Sequence, residues 1–264
     1  NNILDISDGL ACLKEFKEPT CVIIKHNNPC GVASDATIKK SFIKAYQADS
    51  LSAFGGVVLF NRKINKNLSF LLKKYFFEII VAPDFEKNSI EIFKTKKNLI
   101  LIRSKSINSN NNKEFKTVTS GILFQNKNDF KITRKSIKLV SSKGANFQTV
   151  EDLLFAFKVV KHVKSNAIVL ANKKQTVGIG AGQMSRFDST RLALMKYKDY
   201  FANKKFVCAS DAFFPFVDNI QLLKKNNCLA IIQPLGSKND KKIIDFAKQN
   251  KIPLYFTKNR VFKH

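Results

Sequence analysis

Acidic residues are in short supply in this chain. Asp plus Glu number 20 against 46 Lys plus Arg, so the formal net charge is 46 − 20 = +26 over 264 residues. An excess of that size is the usual footprint of a polyanion-binding protein. Here, however, the lysines are scattered along the chain and accompany abundant Asn, Ile and Phe, with no Trp. Those residue types have the codons poorest in G and C, so the charge reads as a composition bias. No nucleic-acid partner is expected, although a positive field still draws in phosphate-bearing substrates. Long apolar runs are missing as well. Nothing approaches the roughly 20 apolar residues of a membrane helix, and no membrane partner is expected. Cysteine is sparse and irregular. Cys12, Cys21, Cys30, Cys208 and Cys228 are odd in number and include no CxxC pair. That excludes a disulfide framework and a structural zinc site of ordinary spacing, and a reducing cytoplasm is the expected setting. Asn1 to Asp5 supply neither an initiator Met nor the regions of a signal peptide, so the chain is expected to begin inside a longer protein.

What is present is ordinary for a packed protein. Hydrophobic residues make up 44% and charged residues 25%, enough for a core within one large domain or two ordinary ones. Helical spacing is predicted over 3–16 and 35–48, and buried strands are expected at 21–25, 57–60 and within 76–85. A second round follows. Thr149 and Asp152 suggest a capping box ahead of a helix through Leu153, Phe157, Val160 and Val163. The stretch 166–186 reads as strand, turn, strand and glycine-rich loop, and 229–237 and 252–257 read as strands. Strands alternating with helices predict an α/β fold with a soft boundary near 130–148. The polar stretch "SKSINSNNNKEFK" (104–116) is expected to be a surface excursion without chemistry.

The stretch "CVIIKHNNPCGVA" (21–33) places Lys25 and His26 side by side where a buried strand meets turn residues. Open α/β sheets bind ligands at strand ends, so a cation and an imidazole there are site candidates, although a solvated strand end would look the same. "NPCG" echoes part of a zinc-deaminase signature, but Cys30 lacks a second cysteine three places on and no Glu stands in position. "GIGAGQ" (178–183) is a poor dinucleotide fingerprint, because its third glycine comes one place early. The glycines are expected to make a tight turn or to bring backbone N–H groups near a ligand, with Arg186 holding an anion. "SDAFFPF" (210–216) is either a hydrophobic plug or a slot for a flat heteroaromatic ring, with Asp218 as an acceptor for a pterin or purine edge. Asn166 is either a turn residue or an oxyanion donor. Phe54 reads as core and His162 as a structural residue on a helix face.

Together these segments resemble one family. "NNILDISDGLACLKEFKEPTCVIIKHNNPCGVA", "SAFGGVVLFNR", "VKSNAIV", "GIGAGQMSR", "SDAFFPF" and "NRVFKH" occur in this order. They are similar to the transformylase domain of the bifunctional purine-biosynthesis enzyme that joins AICAR transformylase to IMP cyclohydrolase. The resemblance implies duplicated cytidine-deaminase-like α/β subdomains without the zinc site. The expected boundaries are 1–140, incomplete at its N-terminus, and 141–264, with the cyclohydrolase domain absent. It also implies formyl transfer from 10-formyltetrahydrofolate to the 5-amino group of AICAR, a potassium ion (K+), and a homodimer with shared sites. Lys25, His26 and Asn166 match the catalytic positions. Phe54, Glu78 and Arg260 match the AICAR side, and Arg186, Phe213, Phe216 and Asp218 the folate side. Two features depart from the family pattern: its upstream Arg-Tyr-Gly segment is not found, and Val217 stands where relatives usually carry arginine. A fold remnant without activity and a basic nucleic-acid-binding domain are the competing readings.

Overall fold

The computed structural model describes residues 1–104 and 113–264. Most of the predicted excursion at 104–116 therefore lies outside the described residues. The elements in the first half are α1 (Asn2–Leu13), β1 (Thr20–Lys25), β2 (Asn28–Ser34), α2 (Ile38–Ala48), α3 (Ser50–Ala53), β3 (Val57–Phe60), α4 (Lys66–Leu72), β4 (Ile79–Ala82), α5 (Lys87–Lys94) and β5 (Ile100–Arg103). A two-stranded ribbon, β6 (Lys113–Val118) and β7 (Gly121–Asn126), stands apart, and β8 (Ile137–Leu139) follows. The second half contains α6 (Phe147–Val160), β9 (Ile168–Asn172), β10 (Gln175–Gly180), α7 (Arg186–Phe201), β11 (Phe206–Ser210), α8 (Asp218–Lys225), β12 (Cys228–Pro234), α9 (Asp240–Gln249) and β13 (Leu254–Thr257).

Eleven strands form one mixed sheet in the order β5-β4-β3-β1-β2-β10-β9-β11-β12-β13-β8. The connectivity repeats. In each half a helix leads into an antiparallel hairpin, whose first strand also pairs antiparallel with the next strand, and two parallel strands follow. Uninterrupted apolar runs such as Val57–Phe60 and Ile79–Ala82 are buried throughout because both faces of the sheet are covered. One face has a continuous core beneath α1 and α6, including Leu13, Val22, Leu59, Leu153, Phe157, Val169 and Ile232. The other face carries two separate cores. Phe42, Phe60 and Leu68 pack in one, and Phe206, Phe214 and Leu254 in the other.

The halves meet where β2 faces β10. The two strands are in register at Ala33 and Gln175. The Thr176 hydroxyl then takes over: Val32 N–H donates to it at 3.0 Å, and it donates to the Val32 carbonyl at 3.2 Å. Beyond that point no further rung is seen among the described residues, and the strands part toward Asn28 and Gly180.

The predicted capping box at Thr149 is not formed. Asn146 caps α6 by accepting from Thr149 N–H at 2.8 Å. Asp152 instead accepts the backbone N–H groups of Lys173 and Lys174, at 2.8 and 3.0 Å, so it is spent on the β9–β10 turn.

Candidate active site

The β1–β2 connection is shorter than the run of Asn and Pro suggests. Asn28 and Pro29 already belong to β2, and the turn consists of His26 and Asn27. Both have positive φ, 55° and 63°, as a two-residue type I′ hairpin requires. Positive φ disfavours most side chains, and the surroundings offset that cost. Asp5 accepts the Asn27 N–H at 2.6 Å, Asp8 accepts the Asn27 side-chain amide at 3.0 Å, and Asn28 Oδ1 accepts the Lys164 N–H at 2.8 Å. Lys25 closes β1 and donates from Nζ to the Phe54 carbonyl at 2.6 Å.

Where β2 and β10 part, a cleft of about 390 Å³ opens on the α2–α7 face. Lys25, His26, Asn28 and Cys30 line one wall, and Gly178, Ile179 and Ala181 the other. Asp49 and Lys196 cross its floor as an ion pair at 2.8 Å. Burial pulls the Lys196 ammonium down, but the bond and charge of Asp49 outweigh it and hold its pKa above the ordinary value. Burial pushes the Cys30 thiol up to about 12, so it stays protonated at neutral pH and is a poor nucleophile. The cleft thus offers an ammonium and an imidazole at its wall. A groove of about 520 Å³ elsewhere is larger. Its Lys44 and Lys174 are paired with Asp35 and Glu18, so it offers no comparable chemistry.

All ten candidate residues fall at one end of the sheet. Lys25 ends β1, while Phe54 and Glu78 precede β3 and β4, whose first residues are in register with each other and with the end of β1. Asn166 precedes β9, Arg186 opens α7 after β10, and Phe213, Phe216 and Asp218 follow β11. Arg260 follows β13.

Several of them differ in detail from the sequence reading. Phe54 is 62% exposed, not core, and stacks on Phe76 with centroids 5.0 Å apart. Glu78 is exposed and accepts from the Asn2 amide at 3.2 Å. Asn166 gives its amide N–H groups to the carbonyls of Gln183 and Met184, at 2.9 and 3.0 Å, which leaves Oδ1 as its remaining hydrogen-bonding atom. The Arg186 fork is turned inward onto Asp211 at 2.8 Å and the Phe213 carbonyl at 3.3 Å. It is committed to a buried ion pair and not presented to an anion. Gly178 and Gly180 pack closely against α7: a β-carbon at either would overlap the backbone carbonyl of Ala193 or Ser189. The turn expected in that stretch is at Gly182, φ 67°.

The phenylalanine loop divides its side chains between core and surface. Phe214 is fully buried as a plug, while Phe216 is 62% exposed. Phe213 lies under the Arg260 guanidinium at 4.8 Å, so Arg260 stands on the Phe213 side of the site. Asp218 Oδ1 accepts from the backbone and side chain of Asn219, at 2.7 and 2.9 Å. The sequence reading missed Asp5, Asp8, Asp49 and Lys196. Asp5, Asp8 and Lys196 act through partners distant in the chain, while Asp49 also caps α3 by accepting from Ser52 N–H at 3.0 Å, a local signal that could have marked it.

The family described as "AICARFT/IMPCHase bienzyme" matches residues 1–196. The chain belongs to this family. Its relatives include the "Bifunctional purine biosynthesis protein PurH" of Caldicellulosiruptor saccharolyticus, 44% identical over all of this chain and 51% of the relative. The protein of the same description from Buchnera aphidicola subsp. Schizaphis graminum is 43% identical, with the same shares covered. That of Aquifex aeolicus is 41% identical over 100% of this chain and 52% of its own length. The chain spans about half the length of the curated relatives it matches. Among solved structures, Acinetobacter baumannii RibD, form 1, aligns with 38% of this chain and 32% of its own, at 16% identity and a TM-score of 0.27. Among the described residues no helix is long and apolar enough to cross a membrane.

Proposed function

We propose that this chain, as a member of the AICARFT/IMPCHase family, carries the formyl-transfer site for AICAR and 10-formyltetrahydrofolate. One observation carries the reading: the two strands at the seam part to leave a cleft with Lys25 and His26 on its wall. In the proposed reaction the AICAR 5-amino nitrogen attacks the formyl carbon. Its lone pair forms the new C–N bond, and the carbonyl electrons move onto oxygen. The amine is conjugated with a carboxamide and is a weak nucleophile, so its proton must be removed as the bond forms. An imidazole is the side chain suited to act as a base near neutral pH, and His26 supplies one at the cleft wall. Lys25 keeps donors beyond the one given to Phe54, and its charge stabilises the developing oxyanion. Collapse of the tetrahedral adduct breaks the bond to folate nitrogen, which takes a proton and leaves as tetrahydrofolate.

Asn166 is retained as a site residue with a changed part. With its amide N–H groups spent on loop 183–184, Oδ1 accepts from a substrate N–H, and Lys25 supplies the oxyanion contact. Phe54 and Glu78 are assigned to the AICAR side. Phe213, Phe216 and Asp218 are assigned to the folate side, where exposed Phe216 offers a ring face. Arg186 supports that side from behind through Asp211, and Arg260 joins it by stacking on Phe213. Among the described residues no group of three or more His, Cys, Asp or Glu side chains is placed to hold a metal ion, and no step is routed through one.

We further propose that the two halves are duplicated cytidine-deaminase-like subdomains, a reading the repeated connectivity supports. The division belongs just before β8, because β8 pairs with β13. Exposed Leu51, Phe54 and Phe76 at the site end suit coverage by a second copy in a homodimer.

The test follows tetrahydrofolate release from AICAR and 10-formyltetrahydrofolate in the whole protein that contains this chain. Turnover is expected, and His26→Ala should lower kcat by about 10²–10⁴-fold, the range for a lost general base. A variant as active as the parent would remove His26 from the mechanism.

A further inference from the structure

Lys263, in the segment after β13, joins the two halves of the site. Its backbone lies against Ser165, the neighbour of Asn166. Ser165 N–H donates to the Lys263 carbonyl at 2.9 Å, and Lys263 N–H donates to Ser165 Oγ at 3.1 Å. Its side chain crosses to the other half. There Nζ donates to the Asn27 carbonyl at 3.0 Å and pairs with Asp8 at 3.0 Å, and within its own half it donates to the His162 carbonyl at 3.2 Å. These three partners use all three ammonium donors. Asp8 also accepts the Asn27 side-chain amide, and Asp5 accepts the Asn27 N–H.

Asn27 is therefore gripped at its N–H, its carbonyl and its side chain, and it is the residue that follows His26. Among the described residues the grip on the carbonyl is Lys263. Both turn residues sit at positive φ, a conformation that persists only where the surroundings over-determine it. We propose that Lys263 is a positioning residue for His26: its ammonium fixes the Asn27 peptide and so holds the imidazole at the cleft wall, in register with the Ser165–Asn166 segment. The inference rests on the formyl-transfer reading, because it matters only if His26 performs the proton transfer. A misplacement of about 1 Å can cost about a hundredfold in rate without touching the reacting atoms.

The experiment is steady-state kinetics on the whole protein with Lys263→Met, which keeps the aliphatic stem and removes the donors. The expected result is a kcat lower by about ten- to a hundredfold with KM for both substrates little changed, the pattern of an interaction felt only in the transition state. Lys263→Arg, which restores a cation with donors, should recover most of the loss. An unchanged kcat, or a loss that Lys263→Arg does not recover, overturns the proposal. If Lys263→Met does not fold, Asp8→Asn removes the counter-charge at the same junction. A folded Asp8→Asn protein with parental kcat overturns it equally. His26→Ala run alongside keeps the two claims apart. Inactive His26→Ala with fully active Lys263→Met refutes the positioning role alone, whereas active His26→Ala refutes the formyl-transfer reading.

Discussion

Arg186 and Asp211 pair at 2.8 Å with side chains 9% and 0% exposed, and Ser165 donates to the other Asp211 oxygen at 2.6 Å. Arg186 Nε is buried without a partner among the described residues, so the guanidinium already bears some unpaid desolvation. Removing its counter-charge would strand a buried cation. Asp211→Ala is expected to lower unfolding stability by about 3–5 kcal/mol, measured by denaturant titration. A loss under about 1 kcal/mol would mean that water reaches the guanidinium, and the pair would then resemble an exposed salt bridge. This arrangement was not legible from "QMSR" or "SDAFF", because the partners are 25 residues apart. Lys25 and His26 were legible. A β-branched strand running into turn residues is a local signal, and the paired groups sit where it ends. Phe54 was misread because an aromatic beside a glycine pair looks like core, while its exposure depends on the strands around it.

At the scale of elements, the hairpin β9–β10 was recognisable as strand, turn and strand, whereas β2 (Asn28–Ser34) was hidden because Asn28, Pro29 and Gly31 look like turn residues. The register of neither hairpin was recognisable. Each uses a two-residue turn with both φ positive, at His26–Asn27 and at Lys173–Lys174. Each turn is held by aspartates of the helix that leads into its hairpin, Asp5 and Asp8 in α1 and Asp152 in α6. The capping-box reading of Asp152 failed because a long-range demand for an acceptor outweighed a local one.

Helices α1 and α6 also meet through the residues just beyond them. Glu15 accepts from Lys161 at 2.8 Å and lies 3.4 Å from His162 Nε2. Burial pulls the His162 pKa down more than Glu15 raises it. Burial pushes the Glu15 carboxyl up, but the bonds from His162 and Lys161 outweigh it and leave it below the usual value. Both folded-state pKa values are depressed, so the unfolded chain binds more protons as pH falls. The stability from His162 is present above about pH 6.5 and is lost as pH drops through its folded value, and that from Glu15 is lost further down. Melting temperatures of the parent and His162→Gln should therefore converge between pH 7.5 and 5.5. A constant gap across that range would contradict the assignment.

For the whole molecule, the alternation of strands and helices made the α/β class readable. The two halves look alike in their rounds of elements, although no repeat shows in the residues themselves. The seam was not readable, since nothing in "GVAS" or "QTVGIG" announces that β2 and β10 hold one register pair and then part. That parting gathers the candidate residues of both halves at one sheet end, while the +26 charge remains spread along the chain. The most direct test is a crystal structure of the whole protein with AICAR bound. The 5-amino nitrogen should lie within hydrogen-bond reach, about 2.6–3.2 Å, of a His26 ring nitrogen or one water away, in the cleft beside Lys25. AICAR bound away from the β2–β10 seam, with His26 and Lys25 facing solvent, would contradict the account.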